Sequence, residues 1–353
     1  MVRDAVPLGE CRRALVIKLR HHGDVLLASP VLSLLKSKGL EVDALVYDDT
    51  APMLEGHPAL FELHTVGRKW RGDGPSKRFS SEKSLFGKLK QGSYDLIVHL
   101  SEQPRGAWLA RGLRPRYSVA PKLPERGSFW EKSFTHLYPL VPKRHQVEVN
   151  LDALRRIGVQ PGPQERKVVF VPGDAAEARA AELLGDQPFV HFHPASRWRF
   201  KCWPVEKCAE LIDRLAVDGL RTVVTAAPDP DEIALVERIL EKTQSAVLNL
   251  AGKLSIKELG AVAARASVFI GVDSMPMHLA AAMGVPTVAL FGPSGEVVWG
   301  PWGTRSSVVS TTHSCRPCGQ DGCGGGKVSE CLTLLPVDAV HSAARELLEE
   351  KWA

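Results

Sequence analysis

The stretch VFIGVDSMPMHLAAAMGVPTVALFGPS, residues 268 to 294, constrains the fold of this chain more than any other. It predicts a buried strand over 268–272, a tight polar turn at Asp273 and Ser274, a short helix over 275–283 and a second buried strand over 286–291. Continuous apolar strands joined through a helix belong to a parallel sheet covered on both faces. A turn from strand end to helix start sets unpaired backbone N–H groups, and the positive end of the helix dipole, at the carboxyl edge of that sheet. Such an edge suits a phosphate. Ser274 suits the N-cap, and Pro276 fits the first turn, where its missing N–H costs nothing. The segment predicts a phosphorylated ligand held where Asp273, Ser274 and His278 converge.

The same alternation runs through all 353 residues, enough for two α/β domains. In the first half, strands are expected over 14–18, 42–47, 94–100 and 116–120, with a helix over 25–35 and a mobile surface loop over 68–84. Pro161-Gly162-Pro163 breaks the pattern and reads as the linker. The second half predicts strands over 167–171, 189–192, 222–226, 246–250, 268–272 and 287–291, with helices over 175–184, 205–217, 230–242 and 255–266. The expected division is therefore 1–162, 163–335 and a last helix in 336–353 that packs back across the first domain. Both domains read as doubly wound, with sites at the carboxyl edges of their strands and function in a cleft between them.

A hydrophobic fraction of 44% with 24% charged residues places the chain among soluble globular proteins. Its first residues contain no long apolar run with a cleavage site, so a cytoplasmic protein is expected. The net charge of +5 is unevenly spread: Arg68, Lys69, Arg71, Lys77, Arg78, Lys83, Lys88 and Lys90 crowd one region, followed by Arg105, Arg111, Arg114, Arg116, Lys122 and Arg126. They read either as solvated helix faces or as a basic face for an acidic membrane surface or saccharide. Nucleic acid is the weakest candidate partner, since no reading motif accompanies the charge. Cys315, Cys318, Cys323 and Cys331 form a C-x2-C-x4-C-x7-C cluster. Reduced thiols are the favoured reading and structural zinc the alternative, because only one true C-x2-C pair is present.

Four constellations stand at expected strand ends. The first runs from Lys18 to Asp24, with Asp24 either a helix cap or a reactive carboxylate. The second, His193 to Pro204, packs Arg197, Arg199 and Lys201 beside Ser196, as a diphosphate would require. The third, Ala226 to Glu232, offers a carboxylate to a ribose diol or caps a helix. The fourth is the opening segment.

Together they resemble the bacterial lipopolysaccharide heptosyltransferases, glycosyltransferase family 9, across nearly the whole chain. LRHHGDVLL and the tail CRPCGQDGCGGGKVSECL are similar to the subgroup that adds the branching heptose. The resemblance implies a GT-B fold, two Rossmann-like domains, with the acceptor on the first and the nucleotide-sugar on the second. It implies Asp24 as general base and Lys201 as phosphate-binding lysine. Ser196, Arg197, Ser274 and His278 would hold the diphosphate, Asp273 the sugar hydroxyls, Glu232 (or Asp229) the ribose and Leu254 the adenine. His21, His22, Arg68, Lys69 and Arg71 would face the acceptor. Met275 departs from the small residue expected there and bears on donor preference. The implied reaction is inverting transfer from ADP-heptose to the lipopolysaccharide inner core at the cytoplasmic face of the inner membrane, with no cofactor and no divalent metal. The alternatives are another acceptor or nucleotide-sugar within the family, and a non-catalytic nucleotide-sugar binder.

Overall fold

A computed structural model describes residues 4–68 and 75–352. The chain divides into two units, Met1–Val171 and Pro172–Ala353. The first unit contains β1 (Arg13–Ile17), β2 (Glu41–Tyr47), β3 (Leu60–Val66), β4 (Leu96–His99), β5 (Tyr117–Pro121) and β6 (His136–Tyr138). They form one parallel sheet in the order β3-β2-β1-β4-β5-β6. The inner strands β1 and β4 are buried on both faces, as their unbroken apolar runs require.

The second unit repeats the plan with β7 (Phe189–His193), β8 (Arg221–Val224), β9 (Val247–Asn249), β10 (Val268–Val272), β11 (Thr287–Leu290) and β12 (Ser306–Val309). Its parallel order is β12-β11-β10-β7-β8-β9. In each sheet the winding reverses between two central strands: β1 and β4 in the first, β7 and β10 in the second. A crevice opens at the carboxyl ends of such a pair, because the connecting helices leave to opposite faces. This is the GT-B type of fold, two Rossmann-like units, as expected.

Several local expectations need correction. Pro30 divides the single helix expected over 25–35 into His22–Leu26 and Ser29–Ser37. A proline lacks the N–H and crowds the carbonyl four residues back, so it begins a new helix rather than continuing the old one. Part of the expected loop over 68–84 is instead helical, Pro75–Gln91, anchored by buried Leu85 and Leu89 four residues apart. Residues 167–171 form no strand: the Val169 N–H donates to Ser29 Oγ at 2.9 Å, which ties the segment to the first unit. The boundary therefore falls after Val171 rather than at the Pro-Gly-Pro break.

The last helix, Val337–Trp352, was expected on the first domain. Its Val340, Ala344, Leu347 and Leu348 are instead buried in the second unit's own core, with Leu211, Leu215 and Leu290. An apolar stripe at helical spacing packs on the nearest uncovered sheet face, and here that face belongs to β10, β11 and β12.

Candidate active site

In the first unit, the chain leaves β1 through Lys18 and turns into helix His22–Leu26. Asp24 lies in the first turn of that helix and is buried, with Arg20 Nε 3.8 Å from its Oδ1. His21, not Asp24, occupies the N-cap, so a capping role for this carboxylate is excluded. Arg20 also reaches Glu102, 4.0 Å away, on the loop after β4. The two loops of the first switch point thus meet around Asp24.

Lys18 lies beneath them, nearly fully buried, and sequence reasoning gave it no role. Its Nζ donates to the Leu100 carbonyl at 2.8 Å and to Asn150 Oδ1 at 2.9 Å. Asn150 Nδ2 in turn donates to the Leu27 carbonyl at 2.9 Å, at the end of the helix that carries Asp24. Burial pulls the Lys18 ammonium down to about 8, and the nearby Asp24 charge offsets only part of that. The signal was a lysine closing an apolar strand, a place where a charge survives only with partners.

Three of the expected acceptor residues, His21, His22 and Arg68, stand around the same loop. His22 Nε2 lies 2.8 Å from the Asp49 carbonyl oxygen. Arg68 stacks on the Tyr47 ring at 4.1 Å, pairs with Asp49 at 2.9 Å and donates to the Arg20 carbonyl at 2.7 Å. Its guanidinium therefore holds the Asp24 loop as well as facing outward. His21 sits at the helix N-cap. Lys69 and Arg71 fall outside the described residues.

In the second unit, the loop after β7 carries Ser196, Arg197 and Lys201, and the loop after β10 carries Asp273 and Ser274. Lys201 Nζ donates to Asp273 Oδ2 at 2.6 Å, so the second switch point is closed by a lysine–carboxylate pair. Ser196 is buried, and its Oγ accepts the Trp198 N–H at 3.3 Å; Arg197 is exposed. Ser274 takes the N-cap position of helix Met275–Ala282, but its hydroxyl donates to the Val272 carbonyl rather than capping. Met275 opens that helix half-buried, and His278 is buried one turn on, its ring 6.4 Å from that of Trp299. Beneath the loop, His191 Nε2 and His193 Nδ1 each lie 2.8 Å from Thr225 Oγ1. Burial pulls both imidazoles down to about 3.

The third constellation separates into two roles. Asp229 is the N-cap of helix Pro230–Lys242 and accepts from the Asp231 and Glu232 N–H groups. Glu232 is buried, accepts the Ala227 N–H at 3.0 Å, and has its carboxyl raised above the usual range by burial. Asp229 and Asp231 have the spacing of a metal-binding acid pair, but Asp231 is bound to Arg199 at 2.9 Å. Leu254 packs, half-buried, just before the capping box of helix Ile256–Ala264.

The four clustered cysteines are free thiols, three of them exposed. Among the described residues only Asp43, Glu62 and His64 bring three ligand atoms within 4.8 Å of one another. That trio is bound by Arg13, 2.8 Å from Asp43, and by the Tyr94 hydroxyl, 2.5 Å from the same oxygen. The structure therefore gathers no three of the cysteine sulfurs into a zinc-sized cluster.

The sequence profile of glycosyltransferase family 9 (heptosyltransferase) matches residues 83–328. The chain belongs to glycosyltransferase family 9. Membership makes it an enzyme of glycosyl transfer. Lipopolysaccharide heptosyltransferase 3 of Escherichia coli strain K12 is 36% identical over 348 residues, covering 94% of this chain and 97% of that protein. The fold is similar to that of a family 9 glycosyltransferase from Veillonella parvula DSM 2008, with a TM-score of 0.84 at 23% identity, covering 98% of this chain and 99% of that one. It is also similar to Escherichia coli heptosyltransferase WaaC with ADP, with a TM-score of 0.74 at 21% identity, covering 95% and 99%.

Proposed function

We propose that this family 9 enzyme transfers L-glycero-D-manno-heptose from ADP-heptose to a heptose of the lipopolysaccharide inner core, with inversion. The observation that carries the reading is the charge placed at each switch point. The first unit offers a buried carboxylate, Asp24, and the second a Lys201–Asp273 pair 2.6 Å apart. Base and leaving-group stabiliser are the two functions that displacement of a diphosphate needs. The similarity to a heptosyltransferase 3 across 94% of the chain supplies the substrate class.

In the step proposed, an acceptor hydroxyl oxygen forms a bond to the anomeric carbon as the bond from that carbon to the β-phosphate oxygen breaks. Attack on the face opposite the leaving group turns a β-linked donor into an α-linked product. The hydroxyl proton passes to the Asp24 carboxylate, mostly late in the step, because a carboxylate is a weak base towards an alcohol. Negative charge builds on the departing ADP, where Lys201, Arg197 and the N–H groups after Asp273 stabilise it. Asp273 orients the sugar hydroxyls and Glu232 the ribose. Residues of the first unit, His21, His22 and Arg68 with Lys69 and Arg71, hold the acceptor, which places the enzyme against the cytoplasmic face of the inner membrane. Among the described residues no helix is long and apolar enough to cross a membrane.

Turnover of ADP-heptose with a truncated inner-core acceptor tests the reading. Acceptor-dependent release of ADP and a heptosylated product are expected. ADP-heptose binding without turnover, on any core acceptor, would replace the enzyme by a nucleotide-sugar binder. Turnover with only a different glycan or nucleotide-sugar would move it within the family.

A further inference from the structure

Two helices of the first unit carry exposed aromatic rings, and cations stand on the neighbouring surface. Helix Pro104–Leu113 presents Trp108, 64% exposed, although Ala107 and Leu109 on either side of it are buried. Helix geometry therefore points this ring outward while its neighbours fill the core. Helix Gly127–Glu131 adds Phe129, 37% exposed, with its ring centroid 4.6 Å from that of Trp108. Arg111 lies over the Phe129 ring at 4.8 Å. Trp108 also lines a groove with Lys83, Phe86 and Arg105, the last paired with Glu82 at 2.6 Å. The same elements and their flanks carry exposed Lys88, Lys90, Arg114, Arg126 and Lys132 against the exposed acids Glu125 and Glu131, so the face is net cationic.

Two aromatic rings in contact and left in water, with Arg111, Lys83 and Arg105 beside them, form an apolar patch with a polar rim, the pattern of an interaction site. The chemistry matches one partner best. Tryptophan has an apolar body and a polar N–H, and favours the boundary between headgroups and acyl chains. Lysine and arginine beside it are drawn to anionic headgroups. The position also fits, because helix Pro104–Leu113 follows directly on the loop where Glu102 meets Arg20.

We propose that this aromatic and cationic face docks the first unit on an anionic lipid bilayer, with Trp108 and Phe129 entering the headgroup zone. The inference rests on the membrane-side placement proposed above, and its test requires neither donor nor acceptor. The full chain is floated with vesicles of phosphatidylcholine alone or of phosphatidylcholine with phosphatidylglycerol, with inorganic phosphate as a competitor. Wild type is expected to float with the anionic vesicles only, and phosphate is expected not to displace it at equal ionic strength.

The W108S/F129S variant is expected to lose roughly tenfold or more of its partitioning. It should keep the wild-type thermal transition and full transfer to a delipidated, soluble core acceptor. Equal flotation of variant and wild type overturns the docking face while leaving the placement intact. Failure of wild type to float with any vesicle overturns both. Loss of transfer to the soluble acceptor, with the fold intact, would make the face a glycan site and overturn the membrane assignment. Normal flotation with no heptosyl transfer would count against the proposed reaction alone.

Discussion

Lys201 Nζ and Asp273 Oδ2 are 2.6 Å apart, joining the loops that follow β7 and β10. Asp273 keeps 6% of its side chain exposed and Lys201 keeps 21%, so the lysine is the partner that an arriving anion can reach. A diphosphate bound there would share an ammonium already held in place by the carboxylate. Such preorganised charge acts without reorganisation when the leaving group develops its own.

Lys201→Ala is therefore expected to lower both donor affinity and kcat. Groups of this kind are worth roughly 2.7–4 kcal/mol in the transition state, about 10²–10³-fold in rate. Asp273→Asn preserves the shape but frees the lysine, so it should raise the donor KM more than it alters ADP binding. Steady-state kinetics with ADP-heptose, and calorimetry with ADP, separate the two. Unchanged kinetics in Lys201→Ala would pass the role to Arg197 and break the assignment of this loop.

Asp24→Asn tests the base. Because His21 holds the N-cap, no capping interaction is lost, and the thermal transition should hardly move. On the order of 10²-fold or more should disappear from kcat, with ADP affinity unchanged. A folded Asp24→Asn enzyme that turns over normally removes the carboxylate from the mechanism.

Much of this architecture was legible because long apolar strands and well-bounded helices report directly on a buried parallel sheet. The strand Val268–Val272 and the helices Val205–Val217 and Pro230–Lys242 lie where pattern placed them. The strands that escaped notice are edge or very short ones. Leu60–Val66 and Ser306–Val309 are largely exposed or half-exposed, and His136–Tyr138 has three residues. An edge strand buries one side only and loses its apolar signature. Asp24, Lys201 and Asp273 were legible as residues at strand ends. What the sequence could not supply was pairing across it. Asn150 lies 132 residues from the Lys18 it binds, and only the sheet topology brings them together.

Glu232 offers a test of the nucleotide end. Its buried carboxyl accepts the Ala227 N–H at 3.0 Å, and burial raises its pKa above the ordinary glutamate range. Glu232→Gln keeps the size but loses charge and acceptor strength towards a ribose diol. Hydrogen bonds to charged groups contribute about 1.5–3 kcal/mol, so ADP affinity should fall roughly tenfold or more, with kcat at saturating donor little changed. Calorimetric titration with ADP decides it, and wild-type affinity would return the residue to a purely structural role.

Arg68, proposed above to face the acceptor, binds the Arg20 carbonyl at 2.7 Å and Asp49 at 2.9 Å, beside the loop that carries Asp24. Arg68→Ala should raise the acceptor KM several-fold and leave the donor KM nearly alone. Rising salt should weaken acceptor binding in the same direction, since exposed charges are screened beyond about 8 Å at physiological ionic strength. An equal loss for donor and acceptor would refute the division of labour between the two units.

The lysine under the Asp24 loop makes stability depend on pH. Burial lowers the Lys18 ammonium to about 8, against 10.5 when exposed. Between those values the unfolded chain carries the extra proton, so stability rises with pH. The penalty for burying the charge is full below pH 8 and is relieved as the amine deprotonates. A shift of that size corresponds to roughly 3 kcal/mol. Lys18→Met has no such group, so the stability of wild type relative to the variant should grow between about pH 8 and 10.5, read by urea unfolding at each pH. Every other ionisable group is common to both proteins and cancels in the difference. A flat difference would mean that the amine does not change its charge there. The variant should also lose kcat, because Lys18 and Asn150 together brace Leu27 at the end of the helix that carries Asp24.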